Sequence, residues 1–436
     1  MADSFSVRVA GVFLLLGLLG GCAANPVTGR QELALFQVST SEEISLGQQA
    51  FPRALQQMGG VYGDPQLSEY VHQVGIRMAQ LSQRPDLPYQ FKVVNDSAPN
   101  AFALPGGFVA ISRGLVAALE NEAQLAAVLG HELGHVTARH SVQAMQRGSL
   151  LGLGMAVLGG ATGQGSYGVA AQQAGQLAAG LLENTYSREQ ERESDRLGVD
   201  YLVQAGYDPQ GAVQLQEYFY RKVERGAEPL WLAGLFRTHP FSKERMLDLK
   251  DYVAERHALT IGNPDYVLNQ QAFARSVAGL RQTQQGYALY DQARKLEEQG
   301  QLPRAIAVYL QAATAAPDQP LILTALGTAY LKADDLTAGQ QHLSRAVQLD
   351  GQYYRSRMGL GYLLFEQENY PRAVRELEAS MALLPTLQGG YLLASAYEGN
   401  HQIGQAVEMY RAVVKASPDG RLGKAAAERL KELETP

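Results

Sequence analysis

Residues 130–140, GHELGHVTARH, hold three histidines and one glutamate. His131 and His135 are four apart, so on a helix they share a face about one turn apart. Two imidazoles at that spacing can reach one Zn²⁺ at about 2.0–2.1 Å. Glu132 lies one step round from His131, too offset to ligate beside it but placed to hold a water on the metal. This is the H-E-x-x-H pattern of zinc hydrolases. The same five residues also occur on surface helices that carry two unrelated histidines. The stripe Gln124, Leu125, Val128 and Leu129 favours a buried helix here.

A catalytic zinc takes three protein ligands and keeps one position open. His140 stands five residues beyond His135, about 140° further round the helix, so its ring is expected to point elsewhere. The longer pattern with Gly three and His six residues after the second histidine is absent, because Ala138 and Ser141 occupy those places. His140 therefore reads as a structural or surface histidine. The third ligand is sought in SREQERESD, residues 187–195. Helical phase puts Glu189, Glu193, Arg196 and Asp200 on one charged stripe facing solvent. Glu191, Asp195, Gly198 and Leu202 form the stripe that turns inward. An inward carboxylate is costly unless it meets a metal or a cation. Glu191 is accordingly the candidate third ligand. Asp195, one turn on, can accept the free N–H of a zinc-bound histidine. Taken alone, the segment would read as a salt-bridged charged helix.

Certain elements must hold these residues in place. At 436 residues the chain can form two or three domains, and 46% apolar against 18% charged residues suits a globular core. The net charge of −6, with no long run of one sign, gives no support for nucleic-acid binding. Thr40 and Glu43 fit a capping box. Asp64-Pro65 opens a helix whose apolar positions Leu67, Val71, Val74 and Met78 recur at helical spacing. Tyr89–Asn95 and Phe108–Ser112 are strand candidates, the second after the Pro105-Gly106-Gly107 turn. The pattern is helical from about Gly114 through Arg147 and again from Ser187 to about Val223. The Gly- and Ala-rich residues 148–180 lack an apolar span of membrane length and read as packed helices forming a mobile cover.

The C-terminal third repeats. Ala293, Gly327, Gly361 and Ala394 recur at 34, 34 and 33 residues, and Ala305, Gly339, Ala373 and Ala406 keep the same intervals. Tyr309, Leu343, Leu377 and Tyr410 follow in phase, and Pro317, Pro385 and Pro418 end three of four units. Gly351 stands where the second unit lacks its proline. This period resembles the tetratricopeptide repeat, in which small residues let two helices cross closely and the stacked units bind peptides or proteins.

At the other end, Cys22 is the only cysteine, so no internal disulfide forms. Val9–Leu19 is an eleven-residue apolar run, short of the roughly 20 residues that span a bilayer, and reads as the core of a secretory signal. Leu19-Gly20-Gly21-Cys22 resembles a bacterial lipobox, whose cysteine carries lipid, although an ordinary signal with an incidental cysteine fits too. Ala23 after the cysteine suggests the outer membrane, by resemblance to sorted lipoproteins.

HELGHVTARH, SREQERESD, Arg237-Thr238-His239-Pro240 and the following Arg245 together resemble the HtpX/BepA-like family of zinc metallopeptidases. Asn100–Gly107 (NAFALPGG) resembles that family's strand before the active-site helix, and NPVTGR (25–30) the mature start of its lipoprotein members. The likeness covers roughly residues 23–255. Two departures are the lipobox, set against soluble periplasmic members, and Ser194 in place of the usual Ala. The resemblance implies one Zn²⁺ per chain on His131, His135 and Glu191, with Glu132 as general base and Asp195 and Arg245 behind the ligands. His239, in the loop-like stretch before Pro240, is then either an ordinary surface-loop histidine or a residue near the metal, as an oxyanion donor or, the favoured role, as a fourth ligand capping the open position. Phe108, Val109, Ala110 and Ile111 are expected to form an exposed edge strand that aligns an extended substrate.

The expected fold is α+β and mostly helical, a zincin-like metallopeptidase domain with a small sheet followed by an α-solenoid. The expected organisation is a signal peptide (1–21), a lipidated tether (22–40), the peptidase (41–260), a connector (261–284) and four repeats (285–436). The expected function is a lipid-anchored endopeptidase on the periplasmic face of the envelope, at its outer membrane by the sorting residue. It would act on unfolded or misassembled envelope proteins, with the outer-membrane assembly machinery as a partner through the repeats. The competing class is a chaperone or assembly scaffold with a latent metal site.

Overall fold

A computed structural model of the chain describes residues 22–24, 27, 29, 31–33, 38–146, 185–224 and 238–434. The expected signal peptide and the expected Gly-rich cover lie outside the described residues. The tether contains a small antiparallel pair, β1 (Cys22–Ala24) with β2 (Gln31–Leu33). Helix α1 (Thr40–Gln57) is capped one residue earlier than expected. Ser39 accepts from the Glu42 amide at 3.2 Å, and the Glu42 carboxylate accepts from the Ser39 amide at 2.7 Å. That shift leaves Glu43 to turn inward, where it pairs with Arg84 at 2.9 Å and Arg139 at 2.5 Å.

Asp64 caps α2 (Pro65–Ala79), and Leu67, Val71, Val74 and Met78 are buried as their spacing requires. They pack beneath a three-stranded sheet of β3 (Gln90–Val94), β4 (Ala101–Leu104) and β5 (Phe108–Ser112), in the order β3-β5-β4. Gly106 and Gly107, at φ +82° and +98°, make the reversal between β4 and β5, a backbone region that glycine enters without a Cβ penalty. The expectation of an exposed edge strand at Phe108–Ile111 is overturned. β5 is central, paired in parallel with β3 and antiparallel with β4, so both its rims are consumed and its side chains are buried. The edges of the sheet are β3 and β4.

The helical pattern after Gly114 is also not continuous. It breaks into α3 (Arg113–Ala118) and α4 (Glu122–Thr137), because Leu119 is extended and Asn121 caps the second helix. A second break follows at Arg139, which adopts φ +60°, and residues 140–146 are helical again. Every α4 residue except His131 is buried. Its start is pinned by the Glu122 carboxylate, which accepts from Tyr70 at 2.5 Å, Tyr207 at 2.6 Å and Asn269 at 2.6 Å. Helices α5 (Arg188–Gln204), α6 (Gln210–Glu224), α7 (Lys243–Arg256) and α8 (Gln270–Ser276) complete this half.

Eight helices then form four hairpins: α9 (Ala278–Glu298) with α10 (Leu302–Ala315), α11 (Pro320–Lys332) with α12 (Leu336–Leu349), α13 (Tyr354–Glu366) with α14 (Tyr370–Leu383), and α15 (Leu387–Gly399) with α16 (Ile403–Ala416). A last helix, α17 (Arg421–Glu434), packs on α16. The first hairpin starts inside the stretch expected to be a connector. The small-residue columns sit at the helix crossings. A Cβ on Gly327 would lie 2.7 Å from Leu343, and one on Gly361 would lie 2.6 Å from Leu377. The turn within each hairpin carries one left-handed residue: Gly300, Asp334, Glu368 and His401.

The repeats pack directly against the first half. Gln56 donates to the Gln352 carbonyl at 2.5 Å and accepts from the Tyr354 amide at 2.9 Å. The Arg113 guanidinium lies 3.3 Å from the centre of the Tyr287 ring. One apolar core runs from α2 and the sheet through α4 into α9, α10 and α11, as far as Tyr353 and Leu384. A second core runs from Leu343 to Ala426. No helix among the described residues is long and apolar enough to cross a membrane.

Candidate metal centre

The site is built where α4 crosses α5. Gly130 and Gly134 on α4 face Gly198 and Ser194 on α5 with almost no room between backbones. A Cβ on Gly198 would lie 2.8 Å from Gly130 C and His131 N, and one on Gly134 would lie 2.9 Å from Ser194 Cα. This closeness carries the inward stripe of α5 under the histidines. Gly198→Ala is expected to force the helices apart at an overpacking cost of about 1–3 kcal/mol. That exceeds the ~1 kcal/mol alanine gains over glycine in a helix. Chemical denaturation should show the loss, and metal titration a weakened site. Unchanged values for both would refute the close-crossing argument.

Helix α5 buries Glu191 and Asp195 and leaves Glu189 exposed. His131 and His135 direct Nε2 atoms to a common point, 3.0 Å apart. Glu191 is fully buried, with Oε1 3.3 Å from His135 Nε2. His239, on a bend before α7, brings Nδ1 to 3.2 Å from His131 Nε2 and 3.1 Å from Glu191 Oε1. These four residues are a group that could hold a metal ion, with ligand atoms all within 4.8 Å of one another. A tetrahedral centre with bonds near 2.0–2.1 Å separates its ligand atoms by roughly 3.3 Å. The donor set and its spacing therefore fit one such ion.

The surroundings fix the charge states. Arg245 is buried behind the ligands, with Nε 2.5 Å from Asp195 Oδ2 and Nη2 2.7 Å from Asp195 Oδ1, and it also donates to Glu191. Burial works against the Glu191 anion, but Arg245 and the neighbouring histidines hold its carboxyl well below the usual range. Asp195 is held down in the same contest, again by Arg245. Its Oδ1 lies 2.9 Å from His131 Nδ1, the geometry of a carboxylate that orients a ligating ring. Burial pushes His135 well down, so its ring is neutral and free to ligate. Burial also lowers His239, but Glu132 and Glu191 outweigh it and raise the ring overall.

Glu132 does not join the ligand group. Burial raises its carboxyl, Oε1 is 3.5 Å from His239 Nε2, and Oε2 has no hydrogen-bond partner. It borders an apolar cleft with Val128, Leu115, Leu202, Phe219 and Phe241. His140 is placed differently from expectation. It lies outside the group of four, and its ring does not point away as expected. It is fully buried, with Nδ1 2.8 Å from His135 Nδ1, because the left-handed Arg139 turns the chain back over α4. Glu193, expected on the solvent stripe, reaches His140 Nε2 at 3.1 Å. Tyr186, which nothing in the sequence singled out, stacks on His135 at 3.8 Å between ring centres. Arg237 lies outside the described residues.

A buried H-E-x-x-H helix, crossed by a second helix that delivers a carboxylate to its two histidines, defines a metal-dependent peptidase site. The comparisons agree. Residues 65–253 match Peptidase family M48, and residues 324–386 match the tetratricopeptide repeat. The chain thus joins a family M48 peptidase domain to C-terminal tetratricopeptide repeats. It is 29% identical over 234 residues to the beta-barrel assembly-enhancing protease of Escherichia coli strain K12, covering 51% of this chain and 46% of that protein. It is 32% identical over 240 residues to the mitochondrial metalloendopeptidase OMA1 of Schizosaccharomyces pombe, covering 53% and 66%. The chain spans about half the length of the beta-barrel assembly-enhancing proteases it matches. Among solved structures, MamA of Desulfovibrio magneticus RS-1 overlays 34% of this chain and 92% of its own, at 20% identity and a TM-score of 0.30.

Proposed function

We propose that this protein is a zinc-dependent endopeptidase of the bacterial cell envelope that cleaves misfolded or misassembled envelope proteins. The observation that carries this reading is the convergence of four ligand atoms beside the unpartnered carboxylate oxygen of Glu132. When bound, zinc lowers the pKa of a water and polarises a carbonyl. Glu132 takes the proton from that water and delivers it to the leaving amine. Arg245 and Asp195 hold Glu191 and His131 in register throughout. The edge strand β4, which packs on α4 and has no second strand partner among the described residues, replaces β5 as the strand proposed to align substrate. The direct test is hydrolysis of an unfolded protein before and after chelation, with zinc restored and metal content measured. Activity that survives complete chelation would overturn the reading.

His239 is read as a cap. With zinc bound, three histidines and a carboxylate would make a closed four-ligand site of the structural kind, and the resting enzyme would be held inactive. His239→Ala is expected to raise proteolysis and autolysis roughly tenfold or more, as removal of a state populated at about 90% or above requires. An oxyanion role predicts the opposite, a fall of about 10²–10³ in kcat. A fall of that size would remove the cap from the account.

The repeats bind clients or partners, and the likeness to the beta-barrel assembly-enhancing proteases supports outer-membrane assembly as the setting. Cys22 is the proposed lipid anchor to the outer membrane, facing the periplasm. Cys22→Ser is expected to move the protein from the membrane to the soluble fraction without changing its circular dichroism. Retention in carbonate-washed membranes would count against the anchor.

A further inference from the structure

The two histidines of the H-E-x-x-H pair are supported from behind by different chemistry. His131 Nδ1 meets the Asp195 carboxylate, which Arg245 neutralises. His135 Nδ1 meets no carboxylate. It meets the ring of His140, at 2.8 Å. If His135 presents Nε2 to the metal, its proton sits on Nδ1, and it donates to His140 Nδ1. The His140 proton is then on Nε2, where it donates to Glu193 Oε2 at 3.1 Å. Each hydrogen bond fixes the tautomer of the next ring.

The surrounding structure enforces the chain. Left-handed Arg139 makes the reversal that returns His140 to α4, and it is held by Glu43 at 2.5 Å and by the Val38 carbonyl. Arg84 clamps the same place, bonding Glu43 at 2.9 Å and the Val136 carbonyl at 3.3 Å. Tyr186 stacks on the His135 face and bonds Ser141 at 3.1 Å. His140 is fully enclosed, so water does not substitute for it as acceptor.

We propose that His140 and Glu193 are positioning residues, a His135–His140–Glu193 relay that sets the tautomer and ring orientation of one metal ligand. The relay rests on the metal-centre reading above. An outer partner of this kind is worth about 10–100-fold in metal affinity. His140→Phe keeps the bulk of the ring and removes the acceptor. It is expected to weaken Zn²⁺ and Co²⁺ binding by about 10–100-fold in chelator competition, and to change the visible absorption of the Co²⁺ form. His140→Asn restores an acceptor and should recover most of the affinity and the spectrum. Glu193→Ala lies at the partly exposed end of the chain, so its fold is safe, and it should weaken binding in the same direction. A merely structural His140 would lower thermal stability without moving the Co²⁺ spectrum.

Wild-type affinity and spectrum in a folded His140→Phe would overturn the relay. If that variant does not fold, an unaltered Co²⁺ spectrum and affinity in Glu193→Ala would do the same. A wild-type protein that takes up neither metal would instead overturn the metal centre, and the relay with it.

Discussion

Glu132→Gln is expected to keep one metal ion per chain and to slow proteolysis by about 10²–10⁴-fold, the usual worth of a positioned general base. The amide has the shape of the carboxylate but cannot take a proton. Glu132 lies outside the ligand group, and its Oε2 makes no hydrogen bond that the substitution would break. Fold and metal content should therefore be untouched, and the loss should fall on turnover. The measurement is metal stoichiometry beside single-turnover cleavage of an unfolded protein. Cleavage within a fewfold of wild type, at equal metal content, would mean that another group moves the proton.

Glu191→Ala should act on the other half of the site, abolishing metal binding and all activity with it. Three of the four ligand atoms would remain, but the only anionic one would be gone, and Arg245 would face the histidines unscreened. Removing one partner of a buried ion pair costs about 3–5 kcal/mol, so the comparison belongs well below the melting transition. Asp195 still engages Arg245 and limits that cost. Glu189→Ala, on the exposed stripe of the same helix, should bind metal like wild type. Equal metal loss in both would sink the assignment of the third ligand.

What was readable in the sequence was periodic. The phase of α5 separated Glu191 and Asp195 from Glu189, and the 34-residue columns placed small residues at the crossings of the hairpins. Spacing arguments failed where the backbone left its period. His140 could not be located by counting round a helix, because Arg139 breaks the helix in a left-handed conformation that its side chain does not announce. The order β3-β5-β4 was equally hidden, since alternation marks a strand but not its neighbours. The cap of α1 slipped by one residue because Ser39, Thr40 and Ser41 are all chemically able to serve. Tyr186 had no local signal, because its role is set by a contact 51 positions away along the chain (186 against 135).

The two larger apolar cores divide the chain at a place its domain names do not mark. The first two hairpins contribute Tyr309, Leu326 and Ala329 to the same core as α4, whereas Leu343 and everything beyond Leu360 that is buried belongs mainly to the second. Cooperative unfolding follows shared burial, not functional labels. The peptidase and the first repeats should therefore lose structure as one unit, and the outer repeats as another. Cutting the chain between peptidase and repeats would strip the catalytic half of part of its own interior. Trimming from the C-terminus inward would spare that interior until the third hairpin, with Leu384, Tyr354 and Tyr353, was reached.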